Sequence, residues 1–298
     1  MSSFTVTVKP GKLTFLSKEW PLLLIIFAGF WLRVKGLTYQ SLWLDELHTM
    51  NELGPAASWA QLFEYLKTSE QQPPLYFVLA KIMFSVFGHT EYVARIFPAI
   101  TGTISIWAMY YLGKVALNRH LGLIAAMLTC VNFFNLHYSQ EARSYILAFL
   151  FATLSFAFFI KLVKTPSRRN ALVYALFTLL FLYCHYFSLF AVTAQAVLAL
   201  IFIFGEKGKE RSDLFKLFLL AGIIIVIGYA PWIPYLLSLT EIKSTWIQAT
   251  PPGFIQLFFY EYFGNAEILK LLLLPLLLVY VVNVALQAQT TGSIKTNA

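Results

Sequence analysis

Charge is what this sequence has least of. Of its 298 residues, 12% are Asp, Glu, Lys or Arg, about half the share of an average soluble domain. A soluble fold of this size cannot hide the 59% that are hydrophobic, among them 28 Phe, 16 Tyr and 7 Trp. A soluble enzyme and a disordered chain are therefore excluded. Cysteine is also scarce. Cys130 and Cys184 both sit in apolar runs, which excludes a disulfide-stapled secreted module. No Gly-rich phosphate loop, Cys/His zinc spacing or nucleophile elbow occurs, so ATP-driven transport and soluble nucleotide-sugar chemistry both lose support. A polytopic membrane protein remains. Its net charge of +8 does not point to nucleic acid, because no cluster of basic and aromatic residues lies outside the apolar runs.

A helix needs about 20 apolar residues to span a bilayer. Spans are expected near residues 20–37, 96–117, 121–138, 144–163, 171–185, 186–204, 214–232 and 268–286. The stretch 171–204 carries no Asp, Glu, Lys or Arg over 34 residues and is too long for one helix, so it is divided at Cys184-His185-Tyr186. Lys9, Lys12 and Lys18 precede the first run, but no small-x-small cleavage site follows it, and it reads as a retained helix. The run at 73–87 is 15 residues long and contains Lys81. At 1.5 Å per residue it reaches about 22 Å, short of the roughly 30 Å hydrocarbon core. It reads as an interfacial helix. Residues 58–67, apolar at 59, 62, 63 and 66, read as a second one.

The charges agree with that choice. With the N-terminus inside and eight spans, the inner side holds 14 basic and 4 acidic residues and the outer side 8 and 10. The split is +10 against −2, a strong positive-inside bias. A spanning 73–87 would turn Arg168-Arg169 and the 206–211 cluster outward. The expected organisation is a cytoplasmic segment 1–19, a transmembrane module 20–232 with an external loop at 38–95, and a further external loop, last helix and polar tail at 233–298.

The candidate chemistry lies on the outer side. Asp45-Glu46 stands in SLWLDELHTM (41–50), near the membrane surface and in an apolar, Trp-containing context. A carboxylate there can accept a proton from a hydroxyl. In QQPPLYF (71–77), tandem prolines start a helix and stiffen its first turn, and Gln71 and Gln72 offer amides to sugar hydroxyls. HYSQEARSY (137–145) places Glu141 and Arg143 at the membrane boundary, where charges are paired or functional. A guanidinium fork suits a phosphate, although an ion pair or a snorkelling Arg143 explains the residues equally well. Arg33 and Arg95 are further candidates with anchoring roles in view, and His185-Tyr186 lies on the same side. Acid, Arg, amide and aromatic groups at one boundary suit a substrate whose lipid stays in the bilayer while its head group reacts outside.

The order SLWLDE, QQPPLYFVLAKIMFSVFGHTEYVARIFPAITG, a helix, then HYSQEARSYIL resembles glycosyltransferase family 39 of the GT-C superfamily, the polyprenyl-phosphate-sugar-dependent enzymes, over about residues 20–190. CHYF at 184–187 resembles the His-Tyr at the start of a later helix in that family. The expected fold is an all-α membrane protein of about eight transmembrane helices, and the resemblance implies two membrane-surface helices in the first external loop. It implies Asp45 as catalytic base with Glu46 in support and Arg143 near the donor phosphate; beside these, Arg95 is expected to join Arg143 at the donor phosphate, and Gln72, Glu141, His185 and Tyr186 to line the substrate. The expected reaction transfers a sugar from a polyprenyl-phosphate donor to a hydroxyl of a lipid, glycan or protein acceptor, with inversion, at the outer face of a bacterial inner membrane or plasma membrane. No cofactor is called for, though a divalent metal is compatible with the acid pair. Gln72 stands where the family often has His or Lys, which weighs against a phosphate or metal role at that position; relatives are usually longer, so the chain reads as a truncated or minimal form. The rival class is a transporter or flippase of lipid-linked sugars. A transporter places polar groups near the midplane on repeat-related helices; here they gather at one boundary and no inverted repeat is visible.

Overall fold

The computed structural model describes residues 12–68, 72–238, 252–255 and 257. Every regular element among them is helical. In chain order they are α1 (Lys12–Val34), α2 (Leu44–Glu52), α3 (Trp59–Thr68), α4 (Leu75–Phe87), α5 (Glu91–Ala116) and α6 (Arg119–Val131). Next come α7 (Phe133–Tyr138), α8 (Tyr145–Lys164), α9 (Arg168–Leu182), α10 (Ser188–Gly205), α11 (Gly208–Tyr229), a 3-10 turn (Ala230–Trp232) and α12 (Ile233–Ser238). The chain divides into two compact units, one of Met1–Val131 with Asn135–Ser244, the other of Asn132–Phe134 with Thr245–Ala298. The site lies in the first.

Local chemistry sets the helix ends. The Thr90 hydroxyl caps α5 by accepting the Val93 N–H at 3.2 Å, and Ser167 caps α9 through the Asn170 N–H at 3.2 Å. Gly88 takes φ 93° at the end of α4, a conformation open to glycine that reverses the chain into α5. Pro73-Pro74 leaves Leu75 as the first helical residue of α4, and its orphan N–H donates to the Tyr183 carbonyl at 3.1 Å. The Pro-Pro segment is thus fastened to the turn between α9 and α10.

Among the described residues, four segments are long and apolar enough to cross a membrane: Glu91–Ala116, Tyr145–Lys164, Ser188–Gly205 and Gly208–Leu237. The expected spans at 20–37, 171–185 and the first part of 121–138 coincide with α1, α9 and α6. Of these, α6 has 13 residues and α9 has 15, or about 20 and 22 Å of rise. The continuous span expected at 121–138 is interrupted, since α6 ends at Val131 and α7 begins at Phe133. The expected division of 171–204 holds, with α9 ending at Leu182 and α10 starting at Ser188. The span expected at 268–286 and the polar tail lie outside the described residues.

Helix α5 packs against α1, α6 and α8; α8 packs on α9, and α9 on α11. The α5–α6 contact is backbone-close: a Cβ on Gly122 would stand 2.6 Å from the Tyr110 carbonyl oxygen. Helices α3 and α4 form at the expected places, and α2 is an addition. They share one core with the bundle, in which Leu53, Leu62, Leu66, Tyr76, Phe77 and Phe84 meet Ala142, Leu147, Leu182 and Trp232. Helix α2 defies the usual pattern because its apolar Leu44 and Leu47 are exposed while Glu46 and Thr49 face inward. A polar inward face gives no hydrophobic period to read.

Candidate active site

The inward face of α2 is held by charge. Glu46 is fully buried. Its carboxylate takes Arg95 Nε at 2.9 Å and Nη2 at 2.6 Å, a bidentate pair. It also accepts the Ala142 N–H at 2.8 Å and the Trp43 N–H at 3.4 Å. Such a pair is stable because both ions are fully hydrogen-bonded. Arg95 spends its remaining donors inside the protein as well, on the carbonyls of Leu37, Gln40 and Ser41 and on Glu91. Expected beside a donor phosphate, Arg95 ties the 37–46 segment to α5, and six internal acceptor atoms on five residues already occupy its fork. Through these bonds Glu46 fixes α2, the helix that carries Asp45.

The HYSQEARSY segment works as a strap, and nearly each residue has a separate hold. Ser139 accepts from Arg33 Nε at 3.1 Å. The same guanidinium is buried and donates to the carbonyls of Gly29, Cys130 and Thr129. Arg33 is therefore an anchor at the C-terminal ends of α1 and α6, where carbonyls favour a cation. Gln140 Nε2 donates to the Arg33 and Lys35 carbonyls, each at 3.1 Å, and covers the end of α1. Glu141 pairs with His137 at 2.8 Å, and its buried Oε2 has no hydrogen-bond partner among the described residues. Ala142 holds Glu46. Gly102 makes room for the strap: a Cβ there would collide with the Ser139 side chain and stand 3.0 Å from Arg33 Nε.

These holds bring Asp45 and Arg143 together. Arg143 Nη2 lies 3.8 Å from Asp45 Oδ2, with Asp45 29% exposed and Arg143 8%. Arg143 Nη1 donates to the Thr49 hydroxyl at 3.3 Å and more weakly to the Asp45 carbonyl at 3.4 Å. Thr49, one turn after Asp45, donates its own hydroxyl to that carbonyl at 3.1 Å. An accessible carboxylate therefore sits beside a cation whose position is set from two sides. Among the described residues no three of His, Cys, Asp and Glu converge as a metal-holding group.

A ring series borders the pair. Tyr138 meets Tyr145 at 4.9 Å, Tyr145 meets His185 at 5.9 Å, and His185 meets Phe187 at 5.0 Å between centroids. Burial, and then the Arg143 charge, hold the His185 pKa below its ordinary value. Burial pushes the Tyr186 phenol up, and its hydroxyl accepts from Trp232 Nε1 at 3.0 Å. Gln72 has a buried Oε1 with no partner among the described residues, and so has the Tyr76 hydroxyl one turn further on. Burial raises the Tyr76 pKa, while the nearby charges of Arg143, Glu46 and Glu141 act on it in opposite senses. Gln71 lies outside the described residues. Thr49, Tyr76, Tyr138 and Tyr145 escaped the sequence reading, although Tyr138 and Tyr145 sit inside the HYSQEARSY motif and Tyr76 inside QQPPLYF.

Residues 71–235, more than half the chain, match the model of the dolichyl-phosphate-mannose-protein mannosyltransferases. The chain belongs to that family. The family match contains Arg95, Arg143 and His185, while Asp45 and Glu46 precede it. No curated protein matches the sequence. Among solved structures, the chain is similar in fold to the protein O-mannosyltransferase Pmt1–Pmt2 complex of S. cerevisiae bound to the sugar donor. The TM-score is 0.59 at 15% identity, over 80% of this chain and 34% of that one. The chain thus spans about a third of the length of that family relative. The likeness shows an all-helical membrane fold of the GT-C kind.

Proposed function

We propose that the chain is an integral membrane glycosyltransferase that moves a sugar from a polyprenyl-phosphate donor to an acceptor hydroxyl, with inversion, at the external face. The observation that carries this reading is the Asp45–Arg143 pair: an accessible carboxylate 3.8 Å from a nearly buried guanidinium. Asp45 takes the proton of the acceptor hydroxyl as its oxygen bonds to the anomeric carbon. The bond from that carbon to the phosphate oxygen breaks, and its electron pair leaves with the lipid phosphate. Arg143 meets the charge that develops there, a preorganised donor that need not be assembled during the step.

The unequal state of the two acids supports inversion. Both oxygens of Glu46 are held by Arg95 and backbone N–H groups, which leaves Asp45 as the carboxylate able to act. A single base and a leaving group that needs no protonation fit one displacement. The charge distribution expected from the sequence, +10 against −2, supports the external side. The family and the sugar donor held by the similar yeast complex support a lipid-phosphate mannose as the first donor to assay. The full chain in nanodiscs should release polyprenyl phosphate from that donor only when an acceptor is present. Movement of intact donor across the bilayer without release would overturn the reading in favour of transport.

A further inference from the structure

The turn 183–187 between α9 and α10 is held from several directions. Cys184 is fully buried, the Tyr183 carbonyl accepts from Leu75 at 3.1 Å, and the Ser188 N–H donates to the His185 carbonyl at 3.0 Å. Within this turn the Phe187 N–H donates to His185 Nδ1 at 3.2 Å. A nitrogen that accepts a backbone hydrogen bond carries no proton, so the neutral ring bears its hydrogen on Nε2. The contact from Phe187 is the ring's one hydrogen bond among the described residues, which leaves Nε2 free to donate, and His185 is half-buried. The ring packs against Tyr145 and Phe187, at 5.9 and 5.0 Å between centroids. Arg143 is close enough to oppose a charge on the ring.

We infer that His185 is a second donor to the leaving lipid phosphate: its Nε2–H, aimed by the Phe187 contact, hydrogen-bonds a phosphate oxygen that Arg143 also holds. The inference rests on the donor proposed above and adds an atom and a protonation state to it. A neutral imidazole beside a guanidinium adds a directional bond without a second cation, so Arg143 keeps its position when the site is empty. Burial and Arg143 together disfavour the imidazolium, and the ring contributes a hydrogen bond rather than a proton.

The two amide replacements separate this role from a structural one. A glutamine amide reaches the place of Nε2, whereas an asparagine side chain reaches only that of Nδ1. The full chain in nanodiscs is titrated with undecaprenyl phosphate. His185→Gln should bind within about threefold of the wild type, while His185→Asn and His185→Phe should bind about ten- to a hundredfold more weakly, the range of a hydrogen bond to a charged group. The inference is overturned if His185→Asn binds well and His185→Gln poorly, since Nδ1 and the turn would then be what matters. Equal binding by all three variants overturns it too. Wild-type chain that fails to bind the lipid phosphate removes the donor reading and the inference together. A variant that fails to fold leaves a test on the wild type: the His185 imidazole nitrogen and Nε2–H resonances must shift on adding undecaprenyl phosphate, and unchanged resonances contradict the inference.

Discussion

Asp45 Oδ2 and Arg143 Nη2 stand 3.8 Å apart, on α2 and on the strap that precedes α8, 98 residues apart in sequence. Neither side chain is placed by its partner alone. Glu46 fixes α2 through Arg95, and the strap is fixed through Arg33, Gln140 and Glu46. The opposing charges therefore face each other at a distance slightly too long for a direct hydrogen bond, with Asp45 accessible.

Glu46→Gln should damage the fold more than the chemistry. The amide cannot repeat the bidentate carboxylate, and Arg95 is left buried with reduced compensation. A loss of about 3 kcal/mol is expected for breaking a buried pair, read as a lower thermal midpoint in detergent. A variant as stable as the wild type would show that Arg95 finds enough acceptors in Leu37, Gln40, Ser41 and Glu91.

Arg143→Lys keeps the charge but not the fork that reaches Thr49 and the Asp45 backbone. It should fold normally and lower kcat about a hundredfold, comparable to removing one preorganised donor from a developing anion. Steady-state transfer with a lipid-phosphate sugar measures it. An unchanged kcat would place Arg143 outside the reaction.

Gly102→Ala tests the strap from α5. The added carbon meets Ser139 and approaches Arg33 Nε, so the 139–143 segment must shift. The expected cost is about 1–3 kcal/mol of stability, accompanied by a fall in transfer. Wild-type activity in this variant would mean that the strap position is not critical.

His185 gives a pH signature. Its pKa in the folded chain lies below the ordinary 6.5. Between those two values the unfolded chain binds the proton and the folded chain does not, so stability rises with pH through that window and is fully present above about 6.5. It falls as the solution is acidified towards the folded pKa. Thermal midpoints between pH 5 and 8 should show a shallower acid slope in His185→Gln. An identical slope would exclude His185 as its source.

The sequence made the membrane class, the positions of most helices and the separate candidacies of Asp45 and Arg143 legible, because hydrophobic length and a charge at a boundary are local signals; that the two stand 3.8 Å apart was not legible. Helix α2 was not legible, since its buried residues are Glu46 and Thr49 and its leucines face outward. The role of Arg95 was hidden for a related reason. Six acceptor atoms from five residues within 37–46 and at 91 meet it, and no spacing rule brings together groups that far apart. The break after Val131 was also hidden, because Asn132 sits among apolar neighbours that read as one continuous run.

The central claim is that Asp45 is the base. Asp45→Asn keeps the size of the side chain, leaves the Glu46–Arg95 pair intact and removes the proton acceptor. In purified chain in nanodiscs with a polyprenyl-phosphate mannose donor, sugar transfer should fall by about 10²–10⁴-fold, while binding of undecaprenyl phosphate and the thermal midpoint stay near wild type. Transfer within a few fold of the wild type would contradict the account.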